Sequence, residues 1–390
     1  MNTKMTIEVE FSDNAFVATA DIILDEAINI LSFSFILNND LVISEIQSNG
    51  KPVSYEKISE ERPTFRPLSQ KIVLHDNDTI RRIQIRYSGS VAFSPEKRSC
   101  WHNIITRDIK SLSWYSVWYP QGTSIEIQHD KVKILNGSDY FCVKGHYDEA
   151  LNVWEYGDEG YDPFNIMAYR KEVLQTVYNP SMNIYFVDDT IKRHAARSVE
   201  IYNEIVNFYN GNLFNRVNIP VLDVACASPA ITTGGGYRRK DFMWCTSLGN
   251  NDLEIAWLNA HETAHKWCTG ANSSSWEDWL NETTAEWASL LFALSRNDMA
   301  LFDFILKPKL EKSSSFPPIK TPDNSRPNGV HEKGTVLFYE LYQKYGVEPV
   351  RSAVRIFTDL KIKNTAAFLD MLCNQGQNQI ADFIKEGIMK

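Results

Sequence analysis

The sequence predicts an α+β protein of 390 residues, strand-rich in its first half and mainly helical in its second. Three observations carry this. Apolar and polar residues alternate at period two through much of residues 1 to about 185. No helical period of any length begins before about residue 165. Beyond residue 195 the apolar spacing changes to the three-and-four rhythm of a helix face. The expected division is 1–185, an N-terminal domain of antiparallel sheet, and 186–390, a mainly helical domain with a small mixed sheet. The length suits two domains.

In the first half, Ile7-Val9-Phe11, Phe16-Ala18, Ile22-Leu24, Leu31-Phe33-Phe35-Leu37 and Ile83-Ile85-Tyr87 read as half-buried strands. Turn signals fall at Asn38-Asn39-Asp40, Asn49-Gly50-Lys51-Pro52 and Asp76-Asn77-Asp78. The aromatic run Trp114 to Pro120 reads as core packing, with a cleft wall as the other use. In the second half, Ala195 to Phe208 is spaced as a helix and Ile219 to Val224 as a strand. Ile231 to Trp244 is extended and interrupted by glycine. Leu253 to Cys268 and about Glu277 to Leu294 are helices, and more helices follow. Pro317, Pro318, Pro322 and Pro327 break one long loop between them.

Composition narrows the function. Hydrophobic residues are 43% and charged residues 23%, so sizeable cores can form, and the net charge is -9. No long basic run is present, which argues against a nucleic acid or an anionic membrane as partner. No uninterrupted apolar stretch is long enough for a membrane span. Met1 to Phe16 lacks an apolar h-region, so no secretory signal is expected. The six cysteines are scattered with no C-x-x-C pair, which fits reduced thiols and a cytoplasmic location. Oligomeric state is left open.

One segment carries chemistry. Asn259 to His265 contains His261-Glu262-Thr263-Ala264-His265, an H-E-x-x-H pattern. On a helix, residues four apart share a face, so His261 and His265 aim two imidazoles at one metal ion. Glu262 then lies beside that face, where a carboxylate reaches a metal-activated water without being a ligand. A catalytic zinc needs a third protein ligand and leaves its fourth position to solvent. No cysteine sits at ligand spacing, and Cys268 reads as packing.

HETAHKW followed by Trp279-Leu280-Asn281-Glu282 resembles the gluzincin metallopeptidases, and within them the M1 aminopeptidases, whose pattern is HExxHxW…WxNE. The resemblance implies Glu282 as third ligand to one Zn2+ per chain. Sixteen residues separate His265 from Glu282, against eighteen in the family pattern, as if two were deleted in the loop Gly270 to Ser275. Glu286 is the rival ligand. The resemblance gives Glu286 another task, a hydrogen bond to the first zinc histidine, with Asn281 beside the ligand in a supporting place. His331-Glu332-Lys333-Gly334 resembles the family's Y-E-K-G motif. It implies His331, in place of tyrosine, as donor to the oxyanion, with Tyr237 or Tyr339 as alternatives.

Thr232 to Arg239 corresponds to the family's G-x-M-E-N edge strand. Gly234, Gly235 and Gly236 would let a peptide backbone approach, and a flexible turn is the plainer reading. Tyr237 stands where the family's amine-binding glutamate is expected. Glu126 and Asp241 are candidates for that missing carboxylate, and Arg238 and Arg239 for a substrate carboxylate. The resemblance further implies a saddle-like or sandwich-like N-terminal β domain and a thermolysin-like catalytic domain. It stops short of the family's long helical C-terminal domain, so a more open cleft is expected. It implies a zinc-dependent peptidase that cleaves peptides near a free N-terminus. An open-cleft endopeptidase or oligopeptidase is the second reading, and a weakly active peptide-binding scaffold the third.

Overall fold

The alternation of the first half is realised as three sheets. The computed structural model describes residues 3–60, 68–75, 79–94, 96, 100–157, 165–214, 221–232 and 235–390. An eight-stranded sheet runs in the order 146–148, 153–156, 128–134, 3–11, 16–29, 79–89, 41–48, 51–52. It is antiparallel except where Thr3–Phe11 runs parallel to Gln128–Ile134. Two four-stranded antiparallel sheets accompany it. Ile7, Val9, Phe16, Ala18, Ile22, Leu24, Ile83, Ile85 and Tyr87 are all buried in one core, as the period-two pattern requires.

Asn49 and Gly50 take φ of 48° and 81°, the left-handed pair that a two-residue hairpin turn demands. Asp76-Asn77-Asp78 lies outside the described residues. One expected strand is shortened. Ile30–Ser32 forms a single 3-10 turn, and the strand begins at Ser34 and ends at Asn38. The Asn29 side chain accepts from the Leu31 N–H at 2.9 Å, so a local side-chain bond competes with the ladder. The aromatic run divides between its two readings. Trp118 is fully buried, edge-on to Phe16, while Tyr115 turns to the cleft described below.

The second half contains a five-stranded mixed sheet in the order 175–177, 182–186, 222–226, 242–245, 236–239. Met182–Phe186, Leu222–Cys226 and Phe242–Cys245 are parallel, and Gly236–Arg239 closes one edge antiparallel. The sheet strand begins at Leu222, and Ile219 lies outside the described residues. Eight helices are described: α1 (Asp189–Phe208), α2 (Asp252–Ala264), α3 (Asp278–Ser295), α4 (Met299–Ser313), α5 (Val330–Tyr345), α6 (Val347–Asp359), α7 (Thr365–Asn374) and α8 (Asn378–Gly387). None is long and apolar enough to cross a membrane. The four prolines of the expected loop all lie between α4 and α5.

Helix α2 starts where the Asn251 side chain accepts from the N–H groups of Leu253 and Glu254. It ends at Ala264, four residues before the expected Cys268. His265 is the cap, still in the helical basin at φ -60° and ψ -11°. The stop follows from the turn beyond, where Cys268 O receives the His265 ring and Gly270 takes φ of 105°.

Helices α3 and α5 pack closely where Gly334 faces Thr283. A Cβ on Gly334 would collide with the Thr283 hydroxyl, so only glycine fits between them. This gives the His331-Glu332-Lys333-Gly334 stretch a packing reason for its glycine. Gly334→Ala is expected to destabilise the protein by about 1–3 kcal/mol through overpacking. Thermal melting measures the loss, and Thr283→Ala in the same chain should recover part of it.

Candidate active site

The histidines of α2 and the glutamates of α3 meet across the α2–α3 interface. His261 Nε2 lies 3.1 Å from His265 Nε2. Glu282 Oε2 lies 3.4 Å from the first and 3.5 Å from the second. The side chains are nearly enclosed, His261 at 10% exposure and Glu282 at 15%. His331, at the start of α5, places Nδ1 3.2 Å from the same Glu282 oxygen. Among the described residues, His261, Glu282 and His331 form a group whose ligand atoms all lie within 4.8 Å of one another.

The far side of each ring is fixed. His261 Nδ1 lies 2.7 Å from Glu286 Oε2, and His265 Nδ1 lies 3.0 Å from Cys268 O. Both partners are acceptors, so each Nδ1 carries the proton and donates it. The Nε2 lone pairs are then left facing each other, with a carboxylate oxygen beside them. Glu286 is itself anchored by Lys309 Nζ at 2.9 Å and by the Trp257 indole N–H at 3.0 Å. Asn281 is turned to the loop, where it accepts from Ala271 N and donates to Ala271 O and Asp278.

The arrangement fits a zinc ion. Bonds of about 2.0–2.1 Å at tetrahedral angles separate neighbouring ligand atoms by roughly 3.3–3.4 Å. The three edges seen here, 3.1, 3.4 and 3.5 Å, bracket that value. Glu282 Oε2 is buried among three imidazole nitrogens at 3.2–3.5 Å without a well-directed hydrogen bond to any of them, an arrangement that costs free energy unless a cation compensates it. Protonation behaviour points the same way. Burial opposes a charge on His261, yet Glu286 and Glu282 outweigh it and hold the ring's pKa up at about 10, so without a metal ion Nε2 takes up a proton that a bound cation would displace to free the lone pair. Burial would raise the Glu282 carboxyl, but His331 and His265 hold it well below the usual range. The carboxylates thus create a strong demand for positive charge where the lone pairs converge.

Glu262 sits beside this triangle, 5% exposed, with Oε2 unpartnered. Burial raises its pKa, against the pull of His261 and His265. Across from it runs the edge strand Gly236–Arg239. A Cβ on Gly236 would fall 2.8 Å from Trp244 O and 3.4 Å from Glu262 Oε1, so this glycine keeps the strand close to the carboxylate. Gly235 faces open space, and Gly234 lies outside the described residues. Tyr237 stacks on Trp244 and meets His102 edge-on.

These residues line one cleft of about 1040 Å³, which also takes in Trp101, His102, Tyr115, Arg239, Asp278 and Arg326. Tyr339 packs instead against Tyr342 beside the helical core. Glu126 is exposed in the β half, where its carbonyl accepts from Thr3. Asp241 lines the cleft but is paired with Lys144 at 2.9 Å. Several neighbours were not foreseen from the sequence. Trp257 could have been, since it precedes His261 by four positions on the same helix. Lys309, His102 and Arg326 arrive from distant segments with no local signal, and the Cys268 carbonyl comes from the turn just beyond α2.

No family model matches the chain, and no curated protein matches it. Solved structures do. An M1 zinc metallopeptidase from Deinococcus radiodurans bound to a Tyr-Ser-Ala substrate aligns over 100% of this chain and 93% of its own, with 13% identity and a TM-score of 0.64. A two-domain M1 zinc metallopeptidase bound to L-tryptophan aligns over 99% and 94%, with 13% identity and a TM-score of 0.61. Native leukotriene A4 hydrolase from Saccharomyces cerevisiae aligns over 98% of this chain and 66% of its own, with 16% identity and a TM-score of 0.61. The fold is therefore that of the M1 zinc metallopeptidases.

His102 provides a check on the cleft wall. Burial and the nearby Arg239 lower its pKa to about 3, so the ring stays neutral in the fold. The unfolded chain takes up a proton at the ordinary value of about 6.5. The neutral ring's contribution to stability is therefore complete above that pH and is lost as pH falls toward 3. His102→Gln should flatten this dependence by about 2 kcal/mol between pH 7 and pH 5, a linkage upper bound. Denaturant melts of both proteins at the two pH values read the difference.

Proposed function

We propose that the chain is a zinc-dependent metallopeptidase in which His261, His265 and Glu282 hold one Zn2+, Glu262 is the general base and His331 assists. The observation that carries this reading is the triangle of two imidazole lone pairs and one buried carboxylate oxygen beside an unpartnered Glu262. Zinc at that position would supply Lewis acidity toward the scissile carbonyl and make water acidic enough to deprotonate near neutral pH. Glu262 would accept the proton of the attacking water and return it to the nitrogen of the leaving amine, so that one bond to carbon forms as the peptide bond breaks. Glu286, braced by Lys309 and Trp257, would keep His261 in its donating tautomer. His331 would donate a hydrogen bond to the carbonyl oxygen as it gains charge. Gly235, Gly236 and Tyr237 would border an extended peptide, with Gly234 assigned to the same edge from sequence alone.

Short peptides are the proposed substrates, because a tripeptide and an amino acid occupy the similar proteins of the same fold. Attack near a free N-terminus is the reading that the resemblance favours. The open-cleft oligopeptidase is supported by a specific observation, that Tyr237 stands where an amine-binding carboxylate was expected. The division into 1–185 and 186–390 belongs to the same proposal, with the strands Gln175–Val177 and Met182–Phe186 contributing to the sheet of the second unit. A cytoplasmic location is proposed on the sequence alone.

Elemental analysis of purified protein should find one zinc per chain, lost on His261→Ala or Glu282→Ala, and chelator should abolish cleavage of an aminoacyl-arylamide or an N-blocked peptide. Glu262→Gln should retain zinc and lose turnover by about 10²–10⁴-fold; a variant as fast as the parent would refute the base assignment. Glu262 acts as the carboxylate, so kcat/KM should rise with pH through its raised pKa. Arg239 favours that carboxylate, so Arg239→Gln should move the acid limb of the pH profile to higher pH.

A further inference from the structure

The cleft is poorly equipped for an ammonium group. Four carboxylates line it: Asp241, Glu262, Asp278 and Glu282. Asp241 shares Lys144 with Asp223, at 2.9 Å and 2.6 Å, and Asp278 is bound by Arg326 at 2.7 Å. Glu282 lies among the histidines, and Glu262 is committed to proton transfer in the reading above. Each carboxylate among the described lining residues is thus already engaged by a cation, by the histidines or by the reaction, and none stands alone to replace the water around a peptide's N-terminal ammonium.

The same edge carries positive charge. The Arg239 guanidinium lies 5.7 Å and 5.6 Å from the ring centres of Tyr115 and Tyr237. It donates to the Tyr115 hydroxyl oxygen at 2.6 Å and to Arg238 O at 2.8 Å. It is thus a preorganised cation on an aromatic floor, beside the position where an amine-binding carboxylate was expected. Its neighbour Arg238 is only 3% exposed. Its Nε donates to Lys240 O at 2.9 Å, and its buried outer nitrogens lie beside the uncharged Tyr202 hydroxyl. Among the described residues no carboxylate forms an ion pair with this guanidinium, so its charge is left uncancelled, and the low-dielectric cleft focuses that field.

Building on the peptidase reading, we propose that the cleft recognises its peptide through a carboxylate placed against Arg239 on the edge strand, with Arg238 reinforcing the field, and that it rejects a free ammonium there. The carboxylate belongs to an acidic side chain or to the peptide's own C-terminus. Arg239 can offer it a charge-assisted hydrogen bond from a held position. An ammonium at the same place would meet a fixed like charge.

The test measures binding apart from turnover. Zinc-loaded Glu262→Gln protein is titrated calorimetrically with matched tripeptides: free or acetylated at the N-terminus, with glutamate or glutamine at each position in turn, and with a free or amidated C-terminus. A glutamate-for-glutamine or acid-for-amide gain of about tenfold or more is expected in one series, with no loss on acetylation. Which series responds identifies the side chain or the terminus as the source. Adding Arg239→Gln should erase the preference, and Arg239→Lys should retain part of it. Thermal melts of both double variants confirm that they fold. A loss of about tenfold on acetylation without any acid preference, or no binding by any peptide, overturns the inference. A preference that survives Arg239→Gln overturns the residue assignment. If the preference appears but the parent protein cleaves none of the panel, the hydrolase reading falls and the carboxylate inference stands.

Discussion

The cleft depends on two imidazole lone pairs being turned toward one buried carboxylate oxygen. Neither ring could hold that orientation alone. His261 is held from behind by Glu286 and His265 by the Cys268 carbonyl, so the proton of each ring is committed to Nδ1. Glu286 is in turn enclosed by Lys309 and Trp257. These bonds place negative charge and lone pairs together in a poorly solvated interior. Such an arrangement is costly by itself and favourable around a divalent cation.

The surrounding fold makes that geometry rigid. Helix α2 is anchored along its length rather than along one stripe, and Asn259, His261, Glu262 and Thr263 are all buried. Asn259 donates to Ser198 on α1, and Tyr209 donates to Ala260 O near the helix end. Gly334 brings α5 against α3 and with it His331 toward Glu282. The β half closes the opposite wall. Trp101 packs on Trp244, Thr232 donates to Trp101 O, and Tyr115 receives Arg239. Residues from both halves of the chain therefore shape the space in which a substrate would lie.

Much of this could be read from residue patterns, and the failures have physical causes. The strand pairs of the first half were visible because one face of each is buried. The Leu31 to Leu37 strand was overestimated because the Asn29 side chain captures the first turn. The end of α2 was placed late because the bond from the His265 ring to Cys268 O is a side-chain feature of the local turn, without a mark in helical spacing. The aromatic run was read as either core or wall, and it is both, since the one-turn 3-10 segment Trp114–Ser116 ends in a left-handed Val117 that redirects the chain between Tyr115 and Trp118. Lys309, Arg326 and His102 could not be anticipated, because nothing in their own neighbourhoods distinguishes them from surface or core residues.

By itself, the sequence determined the chemistry on offer: two histidines four apart around a glutamate, a second glutamate-bearing helix, a glycine-rich edge and the exchange of tyrosine for His331. It determined the order of sheet and helix as well, because periodicity is a local property. Only the tertiary structure decided which charges remain uncompensated. It set Asp241 and Asp223 around Lys144, paired Asp278 with Arg326 and Glu286 with Lys309, and buried Arg238 with no carboxylate partner among the described residues. Charge compensation depends on distance and enclosure in three dimensions, and neither quantity is encoded in the spacing of residues along a chain.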